Sequence, residues 1–96
     1  MAAYLIAQVH IRDAQTYRRY AARAGEIIAK YGGRFLARGG ATEILEGDCL
    51  ERRVVIIEFP SMEAARTFYH SEEYQQAKQI RTPVSDAQST IVQGVE

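Results

Sequence analysis

The chain has 96 residues, of which 47% are hydrophobic and 25% are charged. These fractions are typical of an ordinary globular domain and exclude disordered and collagen-like proteins. Because compact domains usually contain about 100–150 residues, we expect residues 1–96 to form a single domain. Twelve Lys and Arg residues balance twelve Asp and Glu residues, so the formal net charge is zero. Without a surplus of positive charge, nucleic acid is not expected as a partner.

The sequence shows no feature of a membrane or secreted protein. Its longest apolar stretches are Tyr4–Ala7 and Val54–Ile57, whereas a helix needs about 20 apolar residues to cross a bilayer. The first residues, Met1–Tyr4, lack the basic region and the apolar block of a signal peptide. The single cysteine cannot form an internal disulfide. We therefore expect a cytoplasmic protein that does not bind membranes and is stabilised by packing.

The first third of the chain predicts a strand, a helix and a second strand. Tyr4–Ile11 alternates between two faces as a strand does. Asp13 is the expected N-cap of a helix, and Gly32-Gly33 ends it because glycine accepts the left-handed conformation. In the next strand, Arg34–Arg38, alternation places both arginines on the face opposite Phe35. The apolar residues of the helix recur at helical spacing: Tyr17, Tyr20, Ala24, Ile27, Ile28 and Tyr31.

The glycine pair Gly39-Gly40 is compatible with two structures. It is typical of a hairpin turn, and also of a bulge within one long, bent strand. We favour the bulge. In that interpretation Thr42–Glu46 continues the strand, and the turn lies at Gly47–Glu51.

The second half of the chain predicts a central strand, two helical segments and a last strand. Val54–Ile57 is β-branched and apolar on both faces, as in a strand covered on both sides. Ser61 is the expected cap of one helical segment, and Ser71 with two following glutamates starts another. Thr82-Pro83 closes the second segment, because the residue before proline avoids the helical region. Ser89–Gln93 is the last predicted strand.

The resulting order, β-α-β-β-α-β, predicts an α+β fold of the ferredoxin-like type, with helices on one face of a four-stranded sheet. The other face must then expose apolar residues, including Ile6 and either Val54 and Ile56 or Val55 and Ile57. Large exposed apolar patches usually mark an interface. A second copy packed on this face gives a homodimer with a shared, barrel-like core. The alternative is a monomer whose second sheet face is mostly polar.

Charged residues cluster in the middle of the chain, where Glu46 is expected to face Arg52 or Arg53 across the turn. A carboxylate and a guanidinium in that arrangement form a bidentate pair, which is one element of an anion-binding site. They are also common as structural ion pairs at the end of a sheet. The structural interpretation is the more frequent one.

Six of the nine aromatic residues are tyrosines. Tyr17, Tyr20 and Tyr31 keep helical spacing, so packing on the sheet explains them first. Tyr69 and Tyr74 flank the helix break at Ser71, where a hydroxyl can reach a cavity between helix and sheet. Core packing is still the first explanation for them, and a ligand that accepts a phenolic hydrogen bond is the second.

Histidine and cysteine offer little catalytic or metal-binding chemistry. His10 ends the first strand, and histidine is a common general acid or base, but a lone histidine at a strand end is more often simply hydrogen-bonded. His70 is expected in solvent, and Asp48 disfavours a thiolate at Cys49. Neither HxxxH nor CxxC spacing is present, and no glycine-rich phosphate loop is found. We expect neither a metal nor a cofactor.

The strings Gly32–Gly40, Leu45–Gly47 and Arg53–Ser61 resemble the uncharacterised bacterial domain-of-unknown-function family 1330. The resemblance covers nearly the whole chain, in order and at matching spacing, and it implies the dimeric α+β barrel fold. Two residues depart from the family pattern. Ala14 stands where proline is often found, and Phe68 stands where tryptophan is common, which would reshape a pocket wall.

The family has no established reaction, and its superfamily includes monooxygenases, isomerases, haem-handling enzymes and ligand-sensing domains. Our first hypothesis is a small-molecule enzyme or binder whose anionic or aromatic ligand lies between sheet and helices, with Arg38 or Arg53 facing a carboxylate, enolate or phenolate. Proton transfer would fall to Glu46 or Glu58. The alternative is a non-catalytic dimeric sensor or accessory protein, and the sequence does not decide whether the protein is an enzyme. The residues that match the family and carry the site hypothesis are Arg38, Glu46, Arg53, Glu58, Tyr69, Tyr74 and Arg81.

Overall fold

The computed structural model describes residues 1–47 and 52–95. Their four strands form one antiparallel sheet in the order β2-β3-β1-β4, which confirms the ferredoxin-like α+β fold. No helix in this part of the chain is long and apolar enough to span a membrane. The elements are β1 (Ala3–Ile11), α1 (Ala14–Lys30), β2 (Arg34–Arg38), β3 (Arg53–Phe59), α2 (Met62–His70), α3 (Glu72–Arg81), a 3-10 turn (Thr82–Val84) and β4 (Ser85–Gln93).

Each α-helix begins at the residue that the sequence predicted as its cap. The Asp13 carboxylate accepts the backbone N–H of Thr16 at the start of α1. The Ser61 and Ser71 hydroxyls accept N–H groups in the first turns of α2 and α3. Since the first N–H groups of a helix have no partner within it, these side chains decide where each helix starts. At the other end of α1, Gly32 has a positive φ of 83° and terminates the helix.

The core lies between the helices and the odd-numbered positions of β1 and β3. Leu5 and Ile57 are paired across these two strands and both are buried. Phe59 is fully buried against Phe68 of α2, with ring centroids 5.2 Å apart. The even-numbered positions face the other side, which we call the open face of the sheet. Val54 and Ile56 therefore lie on the open face, which settles the alternative that the sequence left unresolved.

The prediction that the strand continues through Thr42–Glu46 was wrong. β2 ends at Arg38, and residues 41–46 are exposed and irregular. The N–H of Gly39 still donates to the carbonyl of Val54, but Gly39 has a φ of +71°, which turns the chain away from the sheet. Of the turn predicted at Gly47–Glu51, all but Gly47 lies outside the described residues.

A bulge is present, but it lies earlier in β2 than the sequence analysis placed it. Phe35 pairs with Ile57 and Ala37 pairs with Ile56, so Leu36 is the extra residue. A single inserted residue shifts every later side chain in the strand to the opposite face. This bulge decides the position of Arg38, described below.

The last strand is four residues longer than predicted at its N-terminal end. β4 begins at Ser85, which pairs with Ile11 at the end of β1. Serine, aspartate and glutamine have low strand propensity, so the sequence of this segment gave no strand signal. The hydrogen bonds to β1 outweigh that low propensity. An ion pair between Arg12 and Asp86 stabilises the start of the strand.

Candidate ligand-binding site

A cavity of about 50 Å³ lies between the sheet and the helices. Most of its wall is apolar and comes from both layers, with Leu5, Ile28, Phe35, Ile57 and Phe68 among the contributors. Its polar lining is Ser89, three tyrosines and three arginines: Tyr17, Tyr20, Tyr74, Arg38, Arg53 and Arg81. No carboxylate of the described residues lines it. The cavity thus combines an apolar body with positive charge.

Arg81 lies at the end of α3 and is only 7% exposed. It shares the inward face of that helix with Tyr74 and Ala77, at the i, i+3 and i+7 positions that align along a helix. Its Nη2 atom donates to the hydroxyl of Tyr74 over 3.5 Å, and its guanidinium lies 5.5 Å from the ring centroid of Tyr20. Among the described residues, phenols and not a carboxylate therefore surround this charged group inside the protein.

Tyr20 and Tyr74 form a hydrogen-bonded pair across α1 and α3, with their hydroxyl oxygens 2.8 Å apart. The ring of Tyr17 lies 5.2 Å from that of Tyr20, so three phenols meet at one wall. Burial raises the pKa of Tyr20, and the nearby Tyr74 raises it further, although Arg81 acts in the opposite direction. Burial also raises the pKa of Tyr17 against the influence of Arg53. Tyr17 and Tyr20 therefore stay protonated at neutral pH and act as hydrogen-bond donors.

Arg53 is the first residue of β3 and points to the helix side of the sheet. Its guanidinium lies 5.9 Å from the ring centroid of Tyr17. Its Nε atom is buried and has no hydrogen-bond partner among the described residues. A buried donor without an acceptor is costly, so the Nε–H of Arg53 is an uncompensated donor among the described residues.

Arg38 reaches the cavity because of the bulge at Leu36. In regular alternation Arg38 would share a face with Arg34, as the sequence analysis expected. Instead Arg34 pairs with Glu58 on the open face, whereas Arg38 pairs with Val55 and faces the helices. Its guanidinium lies 4.2 Å from the ring centroid of Phe35 and is exposed, which places it at the mouth of the cavity.

The three cavity arginines lack carboxylate partners among the described residues. The ion pairs found there join other groups: Arg12 to Asp86, Lys30 to Glu73 and Arg34 to Glu58. An unpaired charge in a partly buried site is unfavourable unless a group of opposite charge binds beside it. The site is therefore electrostatically suited to an anion.

Of the seven residues singled out from the sequence, the structure brings four together at the cavity: Arg38, Arg53, Tyr74 and Arg81. Glu58 lies on the open face, where its Oε1 accepts from Nε of Arg34 at 2.7 Å. Glu46 is exposed in the irregular segment after β2 and forms no ion pair within the described residues. Tyr69 stands behind the cavity, with its ring 5.3 Å from that of Tyr74.

The sequence analysis interpreted Tyr17 and Tyr20 as packing residues, whereas both line the cavity. Their spacing of three residues on the sheet-facing stripe of α1 is the signal that could have identified them as a pair. His10 is exposed on the open face, and His70 is exposed at the end of α2. Cys49 lies outside the described residues. Within residues 1–47 and 52–95, no three His, Cys, Asp or Glu side chains are grouped to hold a metal ion.

Residues 2–95 match the family model described as domain of unknown function (DUF1330). The chain belongs to this family. The match spans nearly the whole sequence and confirms the resemblance carried by the glycine and arginine strings. No curated protein matches the sequence significantly.

Solved structures with the same fold include proteins of unknown function and an oxygenase. The RPA0582 protein of unknown function from Rhodopseudomonas palustris superposes with a TM-score of 0.80 at 19% identity, over 99% of this chain and 83% of that one. SnoaB, a cofactor-independent oxygenase from Streptomyces nogalater, gives 0.72 at 14% identity, over 99% and 94%. An ethyl tert-butyl ether D family protein from Bacillus halodurans gives 0.60 at 11%, over 99% and 100%. At these identities the likeness shows the fold alone, which is that of the α+β barrel proteins.

Proposed function

We propose that this protein binds a small organic anion with an apolar or aromatic body in the cavity between sheet and helices, and that it does so as a homodimer. The observation that carries the proposal is the set of three guanidiniums, on Arg38, Arg53 and Arg81, around an apolar cavity with no carboxylate from the described residues. Apolar walls with a few convergent polar groups are the usual composition of small-molecule sites.

The size of the cavity restricts the ligand. Since one water molecule needs about 10–15 Å³ of such space, a cavity of about 50 Å³ holds only a few non-hydrogen atoms. A larger ligand extends through the mouth, where Arg38 is exposed. The proposed ligand is therefore a small acid, of which one end fits inside the cavity and the rest extends through the mouth.

The same lining favours binding over proton abstraction. A general base within hydrogen-bond reach is the usual requirement for removing a proton from a substrate. Burial raises the pKa of Tyr17 and Tyr20 and keeps both protonated, and the arginines only donate. Glu46 and Glu58, the proton-transfer candidates from the sequence, lie away from the cavity. A non-catalytic sensor or accessory protein accordingly fits the described site better than an enzyme that uses its own base.

The homodimer is supported by the open face of the sheet. Ile6 and Ile56 are directly paired at its centre, and Tyr4 and Val54 lie beside them. Val92 on β4 extends the patch and is 46% exposed. The molecule measures 32 × 31 × 17 Å, so it is two layers thick and its helices cover one side of the sheet. A second copy packed on the open face would remove these side chains from water, and the fold is one shared with dimeric α+β barrel proteins.

The proposal is tested by calorimetric titration of the purified protein with a panel of small organic anions: aromatic carboxylates, aliphatic carboxylates, phenolates and enolates of 1,3-dicarbonyl compounds. We expect at least one class to bind, and Arg81→Met to weaken it by about tenfold or more, as loss of a charged partner does. Arg66→Met is the matched control, because Arg66 is exposed on α2 away from the cavity. The proposal fails if no class binds, or if Arg81→Met binds as well as the wild type.

A further inference from the structure

The side chains that line the cavity carry more hydrogen-bond donors than acceptors. A guanidinium carries five donors and no acceptor. Arg81 donates one hydrogen bond to the Tyr74 hydroxyl, over a long distance of 3.5 Å. The buried Nε of Arg53 has no partner among the described residues. The cavity therefore presents more N–H donors than its own side chains can accept.

The tyrosine pair adds one more donor. Tyr20 and Tyr74 together carry two hydroxyl hydrogens but share a single O–O contact of 2.8 Å. If Tyr20 donates to Tyr74, the hydrogen of Tyr74 remains; if Tyr74 donates, that of Tyr20 remains. Arg81 takes up neither hydrogen, because a guanidinium only donates. In both arrangements one phenolic O–H is left over beside the buried guanidinium.

The protonation of Tyr17 and Tyr20 restricts the class of anion that the cavity can bind. Burial is the largest cause of the raised pKa of Tyr20 and of Tyr17, and it outweighs the nearby arginines. The same loss of hydration would hold a bound phenol or enol in its neutral form. A carboxylic acid is already ionised in water at neutral pH. It stays ionised in the cavity because its pKa lies several units below that of a phenol.

Arg81 is the best placed of the three arginines to hold the charged end of a ligand. It is more than nine-tenths buried, next to the remaining phenolic hydrogen. Arg38 is exposed at the mouth, where water screens its charge. A carboxylate has two oxygens and can accept from a guanidinium and a hydroxyl together.

We propose that the ligand is a carboxylate, held by the Arg81 guanidinium and the remaining O–H of the Tyr20–Tyr74 pair, with its apolar body against the sheet. This inference rests on the proposed function and adds the chemical class of the ligand. It also assigns specificity: a phenol lacks the charge, and a primary amide replaces one acceptor oxygen with a donor that faces only donors. Sites built for one hydrogen-bonding pattern reject ligands that leave buried groups unpaired.

The test compares two matched series on the wild-type protein at pH 7: benzoate, benzamide and phenol, and hexanoate, hexanamide and hexanol. Isothermal titration calorimetry measures each affinity. We expect the carboxylate of at least one series to bind about tenfold or more tightly than its neutral partners, equivalent to one charged hydrogen bond. The inference is overturned if a neutral member binds as tightly as its carboxylate, or if a phenolate or enolate of the wider panel binds while neither carboxylate does. If nothing in the wider panel binds, the proposed function itself fails.

A variant tests whether Arg81 carries the preference. Arg81→Lys keeps a positive charge but loses the planar fork, so we expect the ratio between carboxylate and amide affinities to fall by about tenfold. Arg66→Lys, on the exposed side of α2, is the control and keeps the wild-type ratio. An unchanged ratio in Arg81→Lys would show that another group holds the carboxylate. Because the wild-type series needs no variant, the inference stays testable even if this substitution disturbs folding.

Discussion

The guanidinium of Arg53 occupies the space beside Gly39 in which the Cβ atom of any other residue would stand. Gly39 also has a φ of +71°, and its N–H donates to the carbonyl of Val54. The position therefore needs glycine for two separate reasons: a left-handed backbone that ends β2, and room for an arginine that lines the cavity.

We expect Gly39→Ala to displace Arg53 and weaken binding of any anion found in the panel, in addition to a loss of about 1–2 kcal/mol for the left-handed backbone. Gly47→Ala measures the backbone cost alone, because Gly47 has a φ of +87° and no atom of the described residues near its Cβ position. Gly40→Ala has neither feature and should behave as the wild type. Calorimetric titration and urea unfolding distinguish the three. Equal effects of Gly39→Ala and Gly47→Ala on ligand affinity would contradict the role given to Arg53.

The hydrogen bond between Tyr20 and Tyr74 predicts that substitutions of these two residues have non-additive effects on ligand affinity. Tyr20→Phe or Tyr74→Phe removes one hydroxyl, but the remaining one is released from the pair and can still donate to a ligand. We therefore expect each single variant to lose only a few-fold in carboxylate affinity, and the double variant to lose about tenfold more than either, because it alone lacks the donor. A double-mutant cycle by calorimetry measures this coupling. Additive losses would show that the two hydroxyls act independently.

The apolar residues of the open face predict that a single substitution can convert the dimer to a monomer. Ile56 pairs with Ile6 at the centre of that face, so Ile56→Lys would place a charge inside the proposed interface. We expect sedimentation velocity at micromolar concentration to show a dimer for the wild type and a monomer for this variant. Gln79→Lys adds the same charge on the exposed side of α3 and should stay dimeric. A wild type that sediments as a monomer contradicts the homodimer.

The contact between α1 and α3 predicts a pH dependence of stability. The Tyr31 hydroxyl donates to Glu73 at 2.6 Å and Nζ of Lys30 donates to it at 2.9 Å. These hydrogen bonds, that of Tyr31 first, hold the pKa of Glu73 below its usual value of 4.5. The folded protein thus binds this proton less readily than the unfolded chain. The stabilisation is complete above the usual value and is lost as the pH falls through the lower folded value.

We therefore expect Glu73→Gln to be less stable than the wild type at neutral pH and to lose less stability on acidification below pH 4.5, where the carboxylate of the wild type becomes protonated. Urea unfolding at a series of pH values measures the difference. Glu72→Gln, exposed in the same first turn of α3, is the control and should keep the wild-type pH profile. If the free energy of unfolding depends on pH in the same way for Glu73→Gln and the wild type, the role assigned to Glu73 is contradicted.

Much of the fold could be predicted because its signals are local. Asp13, Ser61 and Ser71 mark helix starts by capping the N–H groups directly after them, and Gly32 ends α1 by its own backbone conformation. β4 was one exception, since Ser85 joins the sheet through its pairing with Ile11, seventy-four residues earlier along the chain, and the strand predicted through Thr42–Glu46 was another. Part of the candidate site was also accessible, since the family resemblance singled out Arg53 and Tyr74.

The sequence by itself determined the order of elements, the helix caps and the surplus of apolar residues on the sheet, because each depends on neighbours within about one turn or two strand positions. Only the tertiary structure decided which charges meet. The bulge at Leu36 turns Arg38 toward the helices, and the pairing of Glu58 with Arg34 takes that carboxylate to the other side of the sheet. The reason is strand geometry: one inserted residue reverses the face of every side chain after it, and its place depends on the partner strand.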